Sequence, residues 1–267
     1  MLAGLAPARR RLVGTLIALV VAATALLTTV LIVSRSPAPA AARANERPGP
    51  VLLVPGYGGS TASLQPLADL LRARGRDATV VAVPGDGTGD LRASAEMLGS
   101  TVDAVLARTG ASSVDVVGYS AGGLIARLWA AGGGDAPARR VVTLGSPHHG
   151  TSLADLAGNV APSQCPVACQ QMATGSDLLA RANAGDETPD GATWVSIWTE
   201  QDETVTPPDT ARLTGALNLT VQSVCGDAKV GHGDLPLSPL VQQMVLTELS
   251  ARDPVPLGPA DCARLSG

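Results

Sequence analysis

The chemistry this chain could perform centres on a serine held between glycines. Ser120 stands in "VDVVGYSAGGLIARL", with Gly118 two residues before it and Gly122 two after, between two apolar stretches. A plain turn with a capping serine needs only one glycine. Two small neighbours, by contrast, let a strand and the following helix approach closely and leave the hydroxyl exposed on a sharp turn. A helix N-terminus beneath it also favours developing negative charge.

A serine hydroxyl is a poor nucleophile at neutral pH, so it needs a base, usually histidine, which a carboxylate orients. The histidines are His148, His149 and His232. His232 falls in "KVGHGDLPLSP", a glycine-flanked loop after the last apolar run, and is the expected base. His148 and His149 follow "LGSP" and are expected to be structural or to wall the substrate. The carboxylate should lie between serine and histidine in chain order, at a strand end. "WVSIWTEQDETVTPPDT" supplies Asp202 there, with Glu203 next in line and Glu200 and Asp209 as further competitors. Two backbone N–H groups must then face the tetrahedral oxygen. Ala121, just after the serine, is one expected donor, and Tyr57, in the glycine-rich "VLLVPGYGGS", is the other. That loop lacks the lysine and Ser/Thr of a phosphate cradle.

The pattern after residue 50 must place these groups. "VLLV" (51–54), "ATVVAV" (78–83), "SVDVV" (113–117), "RVVTL" (140–144), "ATWVSIW" (192–198) and "LNLTVQSV" (217–224) read as strands. Helices are expected at "TASLQPLADLLRARG" and "DLRASAEMLGSTVDAVLARTG". Strand and helix in alternation predict an α/β class: a mostly parallel sheet of about six strands with helices on both faces. Ligands bind such sheets at the C-terminal strand ends, where Ser120 falls.

Residues 9–11 are "RRR", and 12–33, "LVGTLIALVVAATALLTTVLIV", carry no charge and are long enough to cross a bilayer. We read 1–33 as a membrane anchor, with a cleaved signal peptide as the rival, 34–50 as a linker and 51–267 as the catalytic domain. The domain is then exported, either extracellular or held at the outer face of the cytoplasmic membrane. Outside a reducing cytosol, four cysteines imply disulfides. The expected pairs are Cys165 with Cys169, a local staple in "QCPVACQQ", and Cys225 with Cys262, tying down the C-terminal tail. A zinc site is the rival, but no histidine lies near either pair. The formal net charge of −4, with no basic cluster beyond the N-terminus, argues against nucleic-acid partners. Phe is absent, so Val, Leu, Ala and Ile must fill the core.

The blocks "VPGYGGS", "VVGYSAGGLIAR", "VTLGSPHHGT", "SIWTEQDETVTP" and "VGHGDLPLSP" resemble, in order and over about residues 50–240, the small bacterial triacylglycerol lipases and esterases of the α/β-hydrolase superfamily in their exported, actinobacterial-like form. The resemblance implies that fold with Ser120 as nucleophile, Asp202 as acid, His232 as base, and Tyr57 and Ala121 as oxyanion donors. It further implies cleavage of a small-molecule or lipid ester through an acyl-enzyme, with no metal or organic cofactor. An acyltransferase, thioesterase or amidase would carry the same triad, and a non-catalytic surface binding module would keep only the scaffold. Pro55-Gly56 departs from the His-Gly of many lipases, so one hydrogen bond supporting the oxyanion loop is expected to be missing. Only the segment between Ser146 and Gly191 could build a cap, which is expected to be minimal.

Overall fold

The computed structural model describes residues 48–132 and 137–266; the uncharged run at 12–33 and the linker up to residue 47 lie outside them. Among the described residues no helix is long and apolar enough to cross a membrane. The sheet has strands β1 (Val51–Val54), β2 (Ala78–Val80), β3 (Val114–Tyr119), β4 (Ala138–Leu144), β5 (Thr193–Trp198) and β6 (Leu217–Thr220). All pairings are parallel, in the order β2-β1-β3-β4-β5-β6.

Period-two burial splits the apolar residues between two cores. Val51, Leu53, Val117, Val142, Val195 and Ile197 face one side, where α1 (Gln65–Ala73) and α8 (Pro239–Ser250) pack. Leu52, Val54, Val116, Val141 and Trp194 face the other, against α2 (Leu91–Thr109) and α3 (Ala121–Ala131). Strands buried on both faces explain why the chain shows continuous Val/Leu runs instead of strict alternation. The strand order reverses beside β1, so the connections after β1 and β3 diverge and open a crevice at the C-terminal ends of those two strands.

Helix α2 starts and stops as its sequence predicts. The Asp90 side chain accepts from the Arg92 N–H at 2.9 Å, and Gly110 closes the helix at φ 68°. Two expected strands are shorter. β2 ends at Val80, because β1 runs out at Val54 and Pro55 and leaves 82–83 without a partner. β6 ends at Thr220, whose hydroxyl accepts from the Ser223 N–H at 2.8 Å and starts the helical turn α7 (Val221–Val224). Between β4 and β5 the cap segment forms three short helices, α4 (Ser152–Val160), α5 (Val167–Gln171) and α6 (Asp177–Ala182). The Cys165–Cys169 bridge staples the segment at the start of α5. Cys225–Cys262 joins the residue after α7 to α9 (Cys262–Leu265), as expected.

Candidate active site

Strand β3 delivers Ser120 to the crevice in a strained turn, φ 53° and ψ −124°, the only positive φ among the described non-glycine residues. Three glycines make the turn possible. A Cβ on Gly118 would sit 2.6 Å from the Gly123 N, and one on Gly122 would drive into the Val54 carbonyl. A Cβ on Gly56 would come within 3.0 Å of the Ser120 Cβ, so the loop after β1 lies directly against the serine.

The chain brings together the three side chains named from the sequence. His232 Nε2 lies 3.0 Å from Ser120 Oγ, and His232 Nδ1 lies 2.7 Å from Asp202 Oδ2. All three residues are buried, between 5% and 8% exposed. Asp202 Oδ1 accepts from the Thr204 and Val205 N–H groups at 2.9 and 2.7 Å, which fixes the carboxylate. With its acceptor-only oxygen facing Nδ1, the imidazole carries its proton there and turns the Nε2 lone pair to the serine hydroxyl. Glu203 is exposed and stays outside this line, as do Glu200 and Asp209.

The other histidines are engaged elsewhere. His149 bonds Glu187 Oε1 at 2.9 Å and the Thr210 carbonyl. His148 is fully buried, and its tautomer follows from the hydroxyl chain beneath it. Ser196 Oγ donates to the Ala211 carbonyl and Thr143 Oγ1 donates to Ser196 Oγ, so Thr143 can only accept from His148 Nε2–H, at 3.1 Å. Burial, then the charges of Arg127 and His149, hold the His148 imidazole well below its ordinary pKa and keep it neutral.

Ala121 occupies the first position of α3, and Tyr57 lies in the loop against Ser120. Neither backbone N–H meets a protein acceptor among the described residues. The loop's support comes from a second glycine turn. Gly58 N–H donates to the Gly87 carbonyl, and a Cβ on Gly87, at φ 72°, would lie 2.6 Å from the Gly59 Cα. This backing was absent from the sequence reading, although "PGDGTGD" carries the signal of a turn.

Two more contributors were missed. Gly145, in the "LGSP" that ends β4, adopts φ 54°; a Cβ there would lie 3.2 Å from Asp202 Oδ2 and 3.3 Å from His232 Nδ1. Any side chain at this position would press on both Asp202 and His232. Tyr119, the residue before the serine, packs its ring against the imidazole with centroids 5.3 Å apart.

A cleft of about 260 Å³ opens beside Ser120, walled mainly by Tyr57, Leu153, Ala154, Ala157, Met172 and Val205. The side chains of α4 and the stapled cap thus form its apolar wall. Among the described residues no cluster of His, Cys, Asp and Glu could hold a metal ion.

Residues 49–164 match a family described as having the alpha/beta hydrolase fold. Among solved structures, lipase B of Aspergillus fumigatus is similar at 19% identity and a TM-score of 0.65, over 82% of this chain and 60% of its own. A Bacillus licheniformis lipase in mature form matches at 19% identity and a TM-score of 0.59, over 81% of this chain and 95% of its own. An alpha/beta hydrolase enzyme from the metagenome of lagoon sediments at Mar Chica, Morocco, matches at 17% identity and a TM-score of 0.51, over 76% and 90%. This chain spans three fifths of the Aspergillus structure. With its six-stranded parallel sheet flanked by helices, the chain has the alpha/beta hydrolase fold.

Proposed function

We propose that the protein hydrolyses carboxylic esters, as an esterase or lipase of the small bacterial type, through an acyl-enzyme on Ser120. The observation that carries this reading is the unbroken line from Asp202 through His232 to Ser120 at 2.7 and 3.0 Å. Ser120 Oγ attacks the ester carbonyl carbon while His232 Nε2 takes its proton. The N–H groups of Ala121 and Tyr57 face the oxygen that becomes negative, and the N-terminus of α3 adds its dipole. The C–O bond breaks, the imidazolium returns the proton to the leaving alcohol, and the acyl group stays on Ser120. Water, deprotonated by His232, then releases the acid and restores the serine.

The cleft favours an acyl chain over a polar substrate, since its walls are mostly aliphatic. On α4, Leu156 and Val160 are exposed beside Leu153, an apolar surface consistent with a lipid-like ester. We further propose that residues 12–33 carry the domain out of the cytoplasm; the two disulfides fit an oxidising compartment. Rates on p-nitrophenyl esters of rising chain length, for the protein and its Ser120→Ala variant, test the reading. Turnover that survives the substitution would refute it. Recovery of the hydrolase domain in the cytosolic fraction would refute export.

A further inference from the structure

Two hydrogen bonds hold the His232 imidazole, one to each ring nitrogen. They fix the two nitrogens and leave the ring free to turn about the line that joins them. A turn about that line keeps both bonds but lets the ring faces and the main chain that carries them shift together, and with them the position of Nε2 against the serine hydroxyl. Something must therefore bear on the face of the ring and on the backbone that carries it. Gly145 lies close to the pair, since a Cβ there would come within 3.3 Å of His232 Nδ1.

We propose that Tyr119 is a positioning residue for the base: its ring backs the His232 imidazole while its hydroxyl anchors the His232 main chain. This rests on the reading of Ser120 as nucleophile given above. The two rings are 5.3 Å apart between centroids and inclined at 33°. The Tyr119 hydroxyl donates to the His232 carbonyl at 3.2 Å, across 113 residues of chain. The same ring lies beside the loop after β1, since a Cβ on Gly56 would lie 3.5 Å from Tyr119 Cδ1. One side chain thus spans the loop after β1, the turn that holds Ser120 and the loop that holds the base. Burial, then the charges of Asp202 and Asp234, pushes the phenol up to about 12, so it stays a donor across the working pH range.

The ring has a second effect, confined to the reaction. When His232 takes the serine proton it becomes a cation within about 6 Å of an aromatic centroid, the range of cation–π attraction. That attraction is absent in the resting state, so it belongs to the transition state and acts on kcat. Tyr119 is not among the residues that wall the cleft, so KM should stay put.

The test compares the wild type with Tyr119→Phe, which keeps the ring and loses the anchor, and Tyr119→Leu, which loses both. We expect kcat to fall about 3-fold in the first and about 10- to 30-fold in the second, with KM within twofold of wild type. Thermal midpoints are measured alongside. If Tyr119→Leu does not fold, Tyr119→Phe decides alone, because it removes one oxygen from an otherwise unchanged shape. A kcat for either folded variant within 1.5-fold (about) of wild type overturns the proposal, as does a loss that appears in KM instead. Labelling by a fluorophosphonate separates the two readings. If the wild type is not labelled at Ser120, the nucleophile reading fails; if it is labelled and the Tyr119 variants react at the wild-type rate, only the positioning role fails.

Discussion

Asp115 and Asp202 are both buried carboxylates at opposite ends of the same parallel sheet, and their partners make them different instruments. At the N-terminal end, Asp115 receives two bonds from Arg139, at 2.8 and 2.7 Å, and one from Arg76, at 2.6 Å. Arg139 also donates to the Leu249 and Ala251 carbonyls, and Arg140 to those of Glu248 and Arg252, which caps the C-terminal end of α8. Guanidinium groups are always charged and keep their protons. This end is therefore a clamp, in which guanidinium groups lock β3, β4 and the end of α8 together. At the C-terminal end, Asp202 is held by two backbone N–H groups and an imidazole. An imidazole can accept and return a proton where a guanidinium cannot, so here the buried carboxylate faces a group able to move one. The group facing the carboxylate, guanidinium at one end and imidazole at the other, is what separates the two.

The sharpest way to break this contrast is to remove the working end. Ser120→Ala or His232→Ala should each lower kcat by about 10⁴-fold or more in ester hydrolysis, and the double variant should lose no more than either alone. Folding should be nearly unaffected, which a urea midpoint within about 1 kcal/mol of wild type would show.

A smaller but more discriminating loss comes from the acids. Asp202→Asn should lower kcat by about 10³- to 10⁴-fold, since the amide leaves the imidazole in the wrong tautomer. Glu203→Gln, exposed and outside the line, should change it less than about twofold. Equal losses in these two variants would show that the carboxylate role is shared or misplaced.

That assignment was open to sequence reading because chain order and strand ends constrain it. The short apolar runs "VLLV" (51–54), "SVDVV" (113–117) and "ATWVSIW" (192–198) marked the sheet, and "GYSAG" at a strand end marked the turn. What stayed hidden depends on contacts across long separations. Nothing local to Tyr119 says that its hydroxyl meets a carbonyl 113 residues away, and nothing near Asp115 names Arg76 or Arg139. Gly145 reads as a turn glycine until the acid–base pair is placed over it. The end of β6 was missed for a local reason: the Val-rich "TVQSV" carries strand propensity, but the Thr220 hydroxyl caps a helical turn and wins.

The clamp end should respond to substitution in the opposite sense. Asp115→Asn leaves the Arg76 and Arg139 guanidiniums largely buried without a counter-charge, so the fold should lose about 3–5 kcal/mol while kcat of the folded protein stays within about twofold. Urea unfolding and activity at low temperature check the two halves. A large fall in kcat at unchanged stability would mean that the two ends are not separate.

Glu248 gives the finest test, because it is a titratable group inside the clamp. It is fully buried on α8; its Oε2 accepts from the Val255 N–H at 3.1 Å, and its Oε1 meets no partner among the described residues. Burial pushes the carboxyl up to about 7, against the opposing pull of the Val255 N–H and Arg140. The unfolded chain releases this proton near 4.5, so between there and about 7 the folded state holds a proton that the unfolded state has lost. Its contribution to stability is therefore present in acid and fades as pH rises through that window. Glu248→Gln keeps an acceptor for Val255, mimics the protonated carboxyl and cannot ionise. The variant should match the wild type near pH 4.5 and be more stable at pH 8 by on the order of 1 kcal/mol, with no change in kcat. Thermal midpoints of both proteins at the two pH values decide it. Parallel shifts in the two proteins would place the pH dependence elsewhere and leave the clamp electrically silent.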